Sequence, residues 1–181
     1  FLTLLLFQPW DEVFVNLRHS ENLAQWGRFS FSKETMLEGT VDFLPYFLLG
    51  LLARLGLPLT EMAYLQGLIG GFLCLAVARK LLIAWKVPKA ELWGLPFLVF
   101  YSPLALNASH GFATLLFAAI VLWSIYFLFF SNACLWGLVL LSIVPVTRPE
   151  GLWGSILLLS LFCFFSKGRI SKKRFIWTKV R

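Results

Sequence analysis

Charge is scarce in this sequence. Asp, Glu, Lys and Arg make up 14% of its 181 residues, against about 25% in ordinary soluble domains. What fills the deficit is apolar: 59% of residues are hydrophobic and the mean hydropathy is +0.79. That composition excludes a water-soluble globule and reads as an integral membrane protein. Cysteine is sparse as well. Cys74, Cys134 and Cys163 lie far apart in or beside apolar runs. They lack the spacing of metal ligands, which argues for packing or lipid contact and against redox or metal roles. Internal repeats and low-complexity linkers are absent. So is an initiator Met: the chain opens Phe1-Leu2-Thr3-Leu4-Leu5-Leu6-Phe7. Seven apolar residues at about 1.5 Å each cannot cross about 30 Å of hydrocarbon. The expectation is therefore a truncated first helix (1–7) on a fragment of a longer chain. A cleaved signal peptide fits less well, since no charged leader or small-residue cleavage site is visible.

What is present is a succession of apolar runs. After a polar segment, 8–41, they cover about 42–59, 61–84, 92–106, 111–130, 133–147 and 150–166. Several are near 15 residues, short of the roughly 20 that a full crossing needs, so flanking Trp, Ser and Thr or local thinning would have to help. The net charge of +7 would suggest nucleic acid in a soluble protein. Here the basic residues sit beside apolar runs, and positive-inside topology explains them better. Arg79, Lys80, Lys86 and Lys89 follow the 61–84 run, and 167–181 holds seven Lys or Arg and no acid. Both stretches are expected on the cytoplasmic side. The four runs between them place the turns at 107–111 and 147–150 on the opposite side.

The 42–59 run reads two ways. As a span it would put the 8–41 loop in the cytoplasm; lying along the interface, it would put that loop outside. Asp42, Pro45 and Arg54 are awkward in a central transmembrane helix, which favours an interfacial helix over 42–57. Gly67, Gly70 and Gly71 form a small-residue face on the 61–84 helix, suited to close helix packing.

The chemistry-bearing text is Gln8-Pro9-Trp10-Asp11-Glu12-Val13-Phe14-Val15-Asn16-Leu17-Arg18. Carboxylates at a bilayer edge are partly desolvated and need partners. Pro9, the acids after it and Gly27 predict a helix from Asp11 to about Asn22. On it Asp11, Arg18 and Asn22 share one face and Phe14, Leu17 and Ala24 another. One side would rest on the membrane while a carboxylate, a guanidinium and an amide point into a site. The plainer reading is that Asp11 and Glu12 only complement a helix dipole.

The ordered set Asp11-Glu12-x-Phe14-x-x-x-Arg18-x-x-x-Asn22-Leu23-x-x-x-Gly27, then Glu38-Gly39-Thr40, Ala53-Arg54-Leu55-Gly56 and Thr147-Arg148-Pro149-Glu150-Gly151 resembles the GT-C superfamily of polyprenyl-phosphate-sugar-dependent membrane glycosyltransferases. The branches it looks most like are the bacterial arabinofuranosyltransferases, the protein mannosyltransferases and the lipid A aminoarabinose transferases. The resemblance covers roughly residues 8–165. It implies an all-α fold: a polytopic transmembrane helical bundle with about five full spans, a truncated first helix and interfacial helices. The chain would be a single transmembrane domain, with an extracytoplasmic loop at 8–59, the bundle at 61–166 and a basic cytoplasmic segment at 167–181.

The implied activity is transfer of a sugar from a polyprenyl-phosphate donor to an extracytoplasmic glycan, lipid or protein acceptor, with inversion. An attacking hydroxyl must lose its proton, so a carboxylate serves as general base. A phosphate leaving group needs cations as its charge develops. Asp11 is the expected base, with Glu12 as the second catalytic carboxylate. Arg148, Arg18, Arg28 and Lys33 are the expected donor-phosphate ligands, Arg148 foremost because Pro149 and Gly151 fix its turn. Asn22, Glu38, His110 and Glu150 are the expected substrate-binding residues. The resemblance implies no definite cofactor; two adjacent carboxylates can hold a divalent cation, but no ligand cage is legible. The partners are the donor lipid, the acceptor and the bilayer of a bacterial inner membrane, and not nucleic acid.

Two departures stand out. The arabinofuranosyltransferase branch usually carries Asp-Asp in the first loop, where this chain has Asp11-Glu12, a pair common in the other two branches. The family also often carries an acid in a Gly-Leu-Glu-Thr stretch, where this chain reads Gly111-Phe112-Ala113-Thr114. His110 beside that gap is a partial substitute or a structural hydrogen bonder. The rival readings are a polytopic transporter, disfavoured by the lack of charge inside runs 61–78, 111–130 and 151–165, and a non-catalytic membrane scaffold with a GT-C-like fold.

Overall fold

The structure, a computed structural model, describes residues 11–32, 42–86 and 89–178, with the side chains of residues 11, 12, 90, 91, 93 and 166–178 excepted. The expected first helix at 1–7, Lys33 and Glu38 lie outside the described residues. Every regular element among those described is helical: α1 (Asp11–Trp26), α2 (Phe43–Arg54), α3 (Leu59–Ala84), α4 (Ala90–Phe100), α5 (Ser102–Ser109), α6 (Thr114–Ile125, continued by a π turn, Tyr126–Phe130), α7 (Cys134–Thr147) and α8 (Gly151–Thr178). The all-α expectation holds.

Local chemistry sets the breaks. Gly27, Gly56 and Gly111 adopt φ of +71°, +88° and +75°, a region open to glycine without a Cβ clash, and each follows a helix end. The expected 92–106 run is not one helix. Tyr101 turns extended (φ −70°, ψ 105°) and Pro103 opens α5, a position where its missing N–H is not needed. Pro145 sits inside α7 and cannot donate to the Leu141 carbonyl. Ser155 of α8 takes up that carbonyl, its Oγ donating at 3.2 Å.

The helices run back and forth between two ends. At one end Val13, Tyr46, Ala63 and Ala113 are buried together with Leu17 and Leu49, so α1, the starts of α2 and α3 and the α5–α6 turn meet there. At the other, Trp85 packs edge-on against Phe130 at 6.2 Å and Phe129 meets Phe162 and Phe165. The Gly67–Gly71 face is used as expected. A Cβ on Gly67 would lie 2.5 Å from the Ala108 carbonyl oxygen, and one on Gly70 would lie 2.7 Å from the Leu116 nitrogen. Backbone-to-backbone approach of α3 to α5 and α6 therefore requires glycine at both positions.

Helix length alone supports fewer clear spans than the expected five. Among the described residues only α3, with 26 residues, is by itself long and apolar enough to cross a membrane; α5 and α6 pass together as a pair bent by 116°. The apolar helices α2, α7 and the Gly151–Phe165 part of α8 are shorter. The twelve residues of α2 extend about 18 Å at about 1.5 Å per residue, which is too short for a crossing and agrees with the non-spanning expectation for 42–57.

Candidate functional site

The turn after α7 is built by its sequence. A residue before proline is pushed to extended backbone, and Arg148 has φ −144° and ψ 139°. That ends α7 and turns the chain toward α8. The Gly151 N–H then donates to the Arg148 carbonyl at 3.0 Å. A Cβ at Gly151 would lie 2.6 Å from the Val144 carbonyl oxygen, so the turn depends on Gly151 as expected.

Arg148 faces the start of α2. Its Nε lies 2.5 Å from Oδ1 of Asp42, whose side chain is 5% exposed against 22% for the arginine. The approach is ionic: neither atom has a well-directed hydrogen bond. Asp42 stands at the N-cap of α2, where aspartate ordinarily bonds the helix N–H groups, but it makes no cap bond. The Phe117 ring of α6 covers the guanidinium, with Cζ 5.6 Å from the ring centroid.

One turn along α2, Tyr46 is fully buried. Its hydroxyl donates to the Gly111 carbonyl at 3.2 Å. Burial raises its pKa far above the usual tyrosine value, and the Asp42 charge adds to this. Hydrogen bonds from Asn16 and the Ala113 amide, and the Arg148 charge, pull the other way. A buried phenol and carboxylate, a half-buried guanidinium and the α5–α6 turn thus share the end of the bundle where α1 begins.

The other expected site residues are placed less favourably. Asp11 and Glu12 occupy the first turn of α1, two residues ahead of Val13 in the shared core, but their side chains are not among those described. Asn22 is fully buried and donates to the Ser30 and Phe31 carbonyls at 2.8 Å each. Its amide nitrogen pins the turn after α1. Arg18 is exposed and paired with Glu21 at 2.7 Å; Arg28 and Glu150 are exposed. His110 is buried, with Nδ1 2.7 Å from the Leu106 carbonyl oxygen. That supports the structural alternative for it.

The expected sharing of one polar face by Arg18 and Asn22 is therefore corrected. Packing against α2 selects a buried stripe of Val13, Leu17, Ser20 and Leu23, with the Ser20 hydroxyl donating to the Tyr46 carbonyl at 2.6 Å. Leu17 is inside this contact, apart from the exposed Phe14. Arg148 pairs with Asp42. Asp42, Tyr46 and Phe117 were not expected at the site. The signal for Asp42 was there: a lone acid heading an apolar run needs a partner.

Among the described residues no group of three or more His, Cys, Asp or Glu could hold a metal ion. No family model, curated protein or solved structure matches the chain.

Proposed function

We propose that the chain forms part of a multi-pass membrane glycosyltransferase of the GT-C type, with its site on the extracytoplasmic side of a bacterial inner membrane. In this reading α3, the α4–α5 pair, α6, α7 and α8 are the crossing segments, the shorter ones relying on local bilayer thinning. The basic residues around 79–89 and beyond 167 lie at the cytoplasmic end.

The observation that carries the proposal is the meeting of the α1 start, the α5–α6 turn and Arg148 at the end opposite those basic stretches. The resemblance places catalysis at residues 11 and 12, phosphate binding at 148 and substrate binding at 110. The donor is a polyprenyl-phosphate sugar that enters from the bilayer. Asp11 takes the acceptor proton as the new glycosidic bond forms. Arg148 meets the phosphate as the glycosyl–phosphate bond breaks and the leaving group gains charge. Glu12 orients the acceptor.

One observation favours the scaffold reading. Asp42 already balances the Arg148 charge, and Asn22 and His110 are engaged by backbone carbonyls. The deciding experiment is transfer of labelled sugar from a polyprenyl-phosphate donor by the purified protein in lipid. Product formation that depends on Asp11 supports the enzyme; a correctly folded protein that yields no product with a panel of donors and acceptors rejects it.

A further inference from the structure

Arg148 is held on two sides and left open on a third. Asp42 approaches Nε and Phe117 covers the face. Among the described residues no polar contact of its two terminal amines is formed. Asp42 stands at a capping position but makes no cap bond there. The arginine is partly exposed while the aspartate is not, so the open edge of the guanidinium is the part that faces outward. Two parallel N–H donors on a fixed plane fit two oxygens of one phosphoryl group.

We propose that Asp42 and Phe117 are positioning residues that hold the Arg148 guanidinium so that its Nη edge binds a phosphoryl group, the headgroup of a lipid phosphate. The inference rests on the glycosyltransferase reading for the identity of that lipid, while the anion site stands on the geometry. Asp42 acts through orientation, against its own charge. Simple electrostatics would have its removal tighten anion binding; positioning has its removal loosen it.

The test measures binding of polyprenyl phosphate to the purified full chain in nanodiscs of zwitterionic lipid by native mass spectrometry. Uncharged polyprenol and inorganic phosphate are the comparison probes. Arg148→Lys keeps the charge opposite Asp42 but lacks the second amine, so it is expected to bind polyprenyl phosphate about tenfold or more weakly, with unfolding temperature unchanged. Asp42→Ala should also weaken binding although it makes the site more cationic. Asp42→Asn keeps an oxygen of the same shape facing Nε without the charge and should restore it. Phe117→Leu should weaken it about threefold, as expected for loss of an exposed cation–π contact.

Equal binding by the parent and Arg148→Lys, tighter binding by Asp42→Ala, or no preference over polyprenol overturns the proposal. If Asp42→Ala does not fold, Arg148→Lys and Phe117→Leu decide. Inorganic phosphate bound as tightly as the lipid, with the same Arg148→Lys sensitivity, keeps the anion site and assigns it to free phosphate. The two readings fail separately. Arg148-dependent lipid-phosphate binding without sugar transfer rejects the glycosyltransferase alone. Sugar transfer unaffected by Arg148→Lys rejects the anion site alone.

Discussion

The Tyr46 hydroxyl donates to the Gly111 carbonyl at 3.2 Å, tying the non-spanning helix α2 to the sharp bend between α5 and α6. Gly111 has φ +75° and its Cα packs toward Ala63 of α3, so one hydrogen bond joins four helices. Tyr46→Phe removes the donor and leaves a buried carbonyl unsatisfied. The expected loss is about 1–3 kcal/mol, read as a lower unfolding midpoint in detergent.

The same tyrosine predicts an alkaline limit. Its folded pKa is raised, first by burial and then by Asp42, above an unfolded value of about 10. The neutral phenol is therefore the form the fold favours. Its contribution is fully present below pH about 10 and is lost as pH rises from there toward the folded pKa. Tyr46→Phe should flatten stability against pH above about 10. The check is a denaturation series from pH 8 to 12 alongside tyrosinate absorbance. An unchanged alkaline slope in Tyr46→Phe would assign the limit to other groups.

The close approach of α3 to its neighbours ranks three glycines. A Cβ on Gly67 or Gly70 meets backbone at 2.5 and 2.7 Å, whereas on Gly71 it meets the Ala108 Cβ at 3.3 Å. Backbone cannot swing aside as a side-chain tip can. Gly67→Ala and Gly70→Ala should each cost about 1–3 kcal/mol through overpacking, and Gly71→Ala clearly less. Equal melting shifts for all three would contradict this packing.

These contrasts show what the sequence disclosed. The glycine face, the Pro149–Gly151 turn and the separation of the basic stretches from the 107–111 and 147–150 turns were legible, because each follows from local geometry or local charge. The environment of α1 was not. Helical spacing puts Arg18 and Asn22 side by side, yet one is exposed and the other buried. The dividing line is drawn by α2, a tertiary partner with no signature in the spacing of α1. The Asp42–Arg148 pair was hidden for the same reason: each residue was noticed, Asp42 as an awkward acid and Arg148 as a cation, and only the fold brings them together. The 92–106 run read as one segment because its apolar composition continues through Tyr101, where the backbone turns.

The Asp42–Arg148 pair should show strong coupling. Removing one partner of a buried pair strands the other charge, costing about 3 kcal/mol or more, whereas replacing both with apolar residues is often near neutral. Asp42→Leu and Arg148→Met should each destabilise, and the double variant should recover most of the loss. A double-mutant cycle on chemical unfolding measures it; additive losses would show that the contact carries little energy.

Sidedness is testable by cysteine labelling. In a background lacking Cys74, Cys134 and Cys163, Ser32→Cys and Lys172→Cys should react with a membrane-impermeant thiol reagent from opposite faces, Ser32 from outside. The basis is the placing of the basic stretches at one end of the bundle. Labelling of both from the same face would remove the topology on which the extracytoplasmic site depends.

The catalytic prediction concerns the first turn of α1. Asp11→Asn keeps size and polarity but cannot accept the acceptor proton, so sugar transfer should fall by about 10²–10⁴ while binding of the donor lipid persists. Glu12→Gln should fall less, because orienting an acceptor is a smaller share of the barrier than removing its proton. Arg148→Ala should lose donor use through the leaving group, and Arg148→Lys should recover only part, since a point charge lacks the planar fork. Each variant is measured with labelled polyprenyl-phosphate sugar at a temperature where it is shown separately to be folded. Transfer by Asp11→Asn at the parent rate would show that Asp11 is not the base. The acidic pair would then be explained by its position at the positive end of the α1 dipole, where two carboxylates stabilise the helix without touching a substrate.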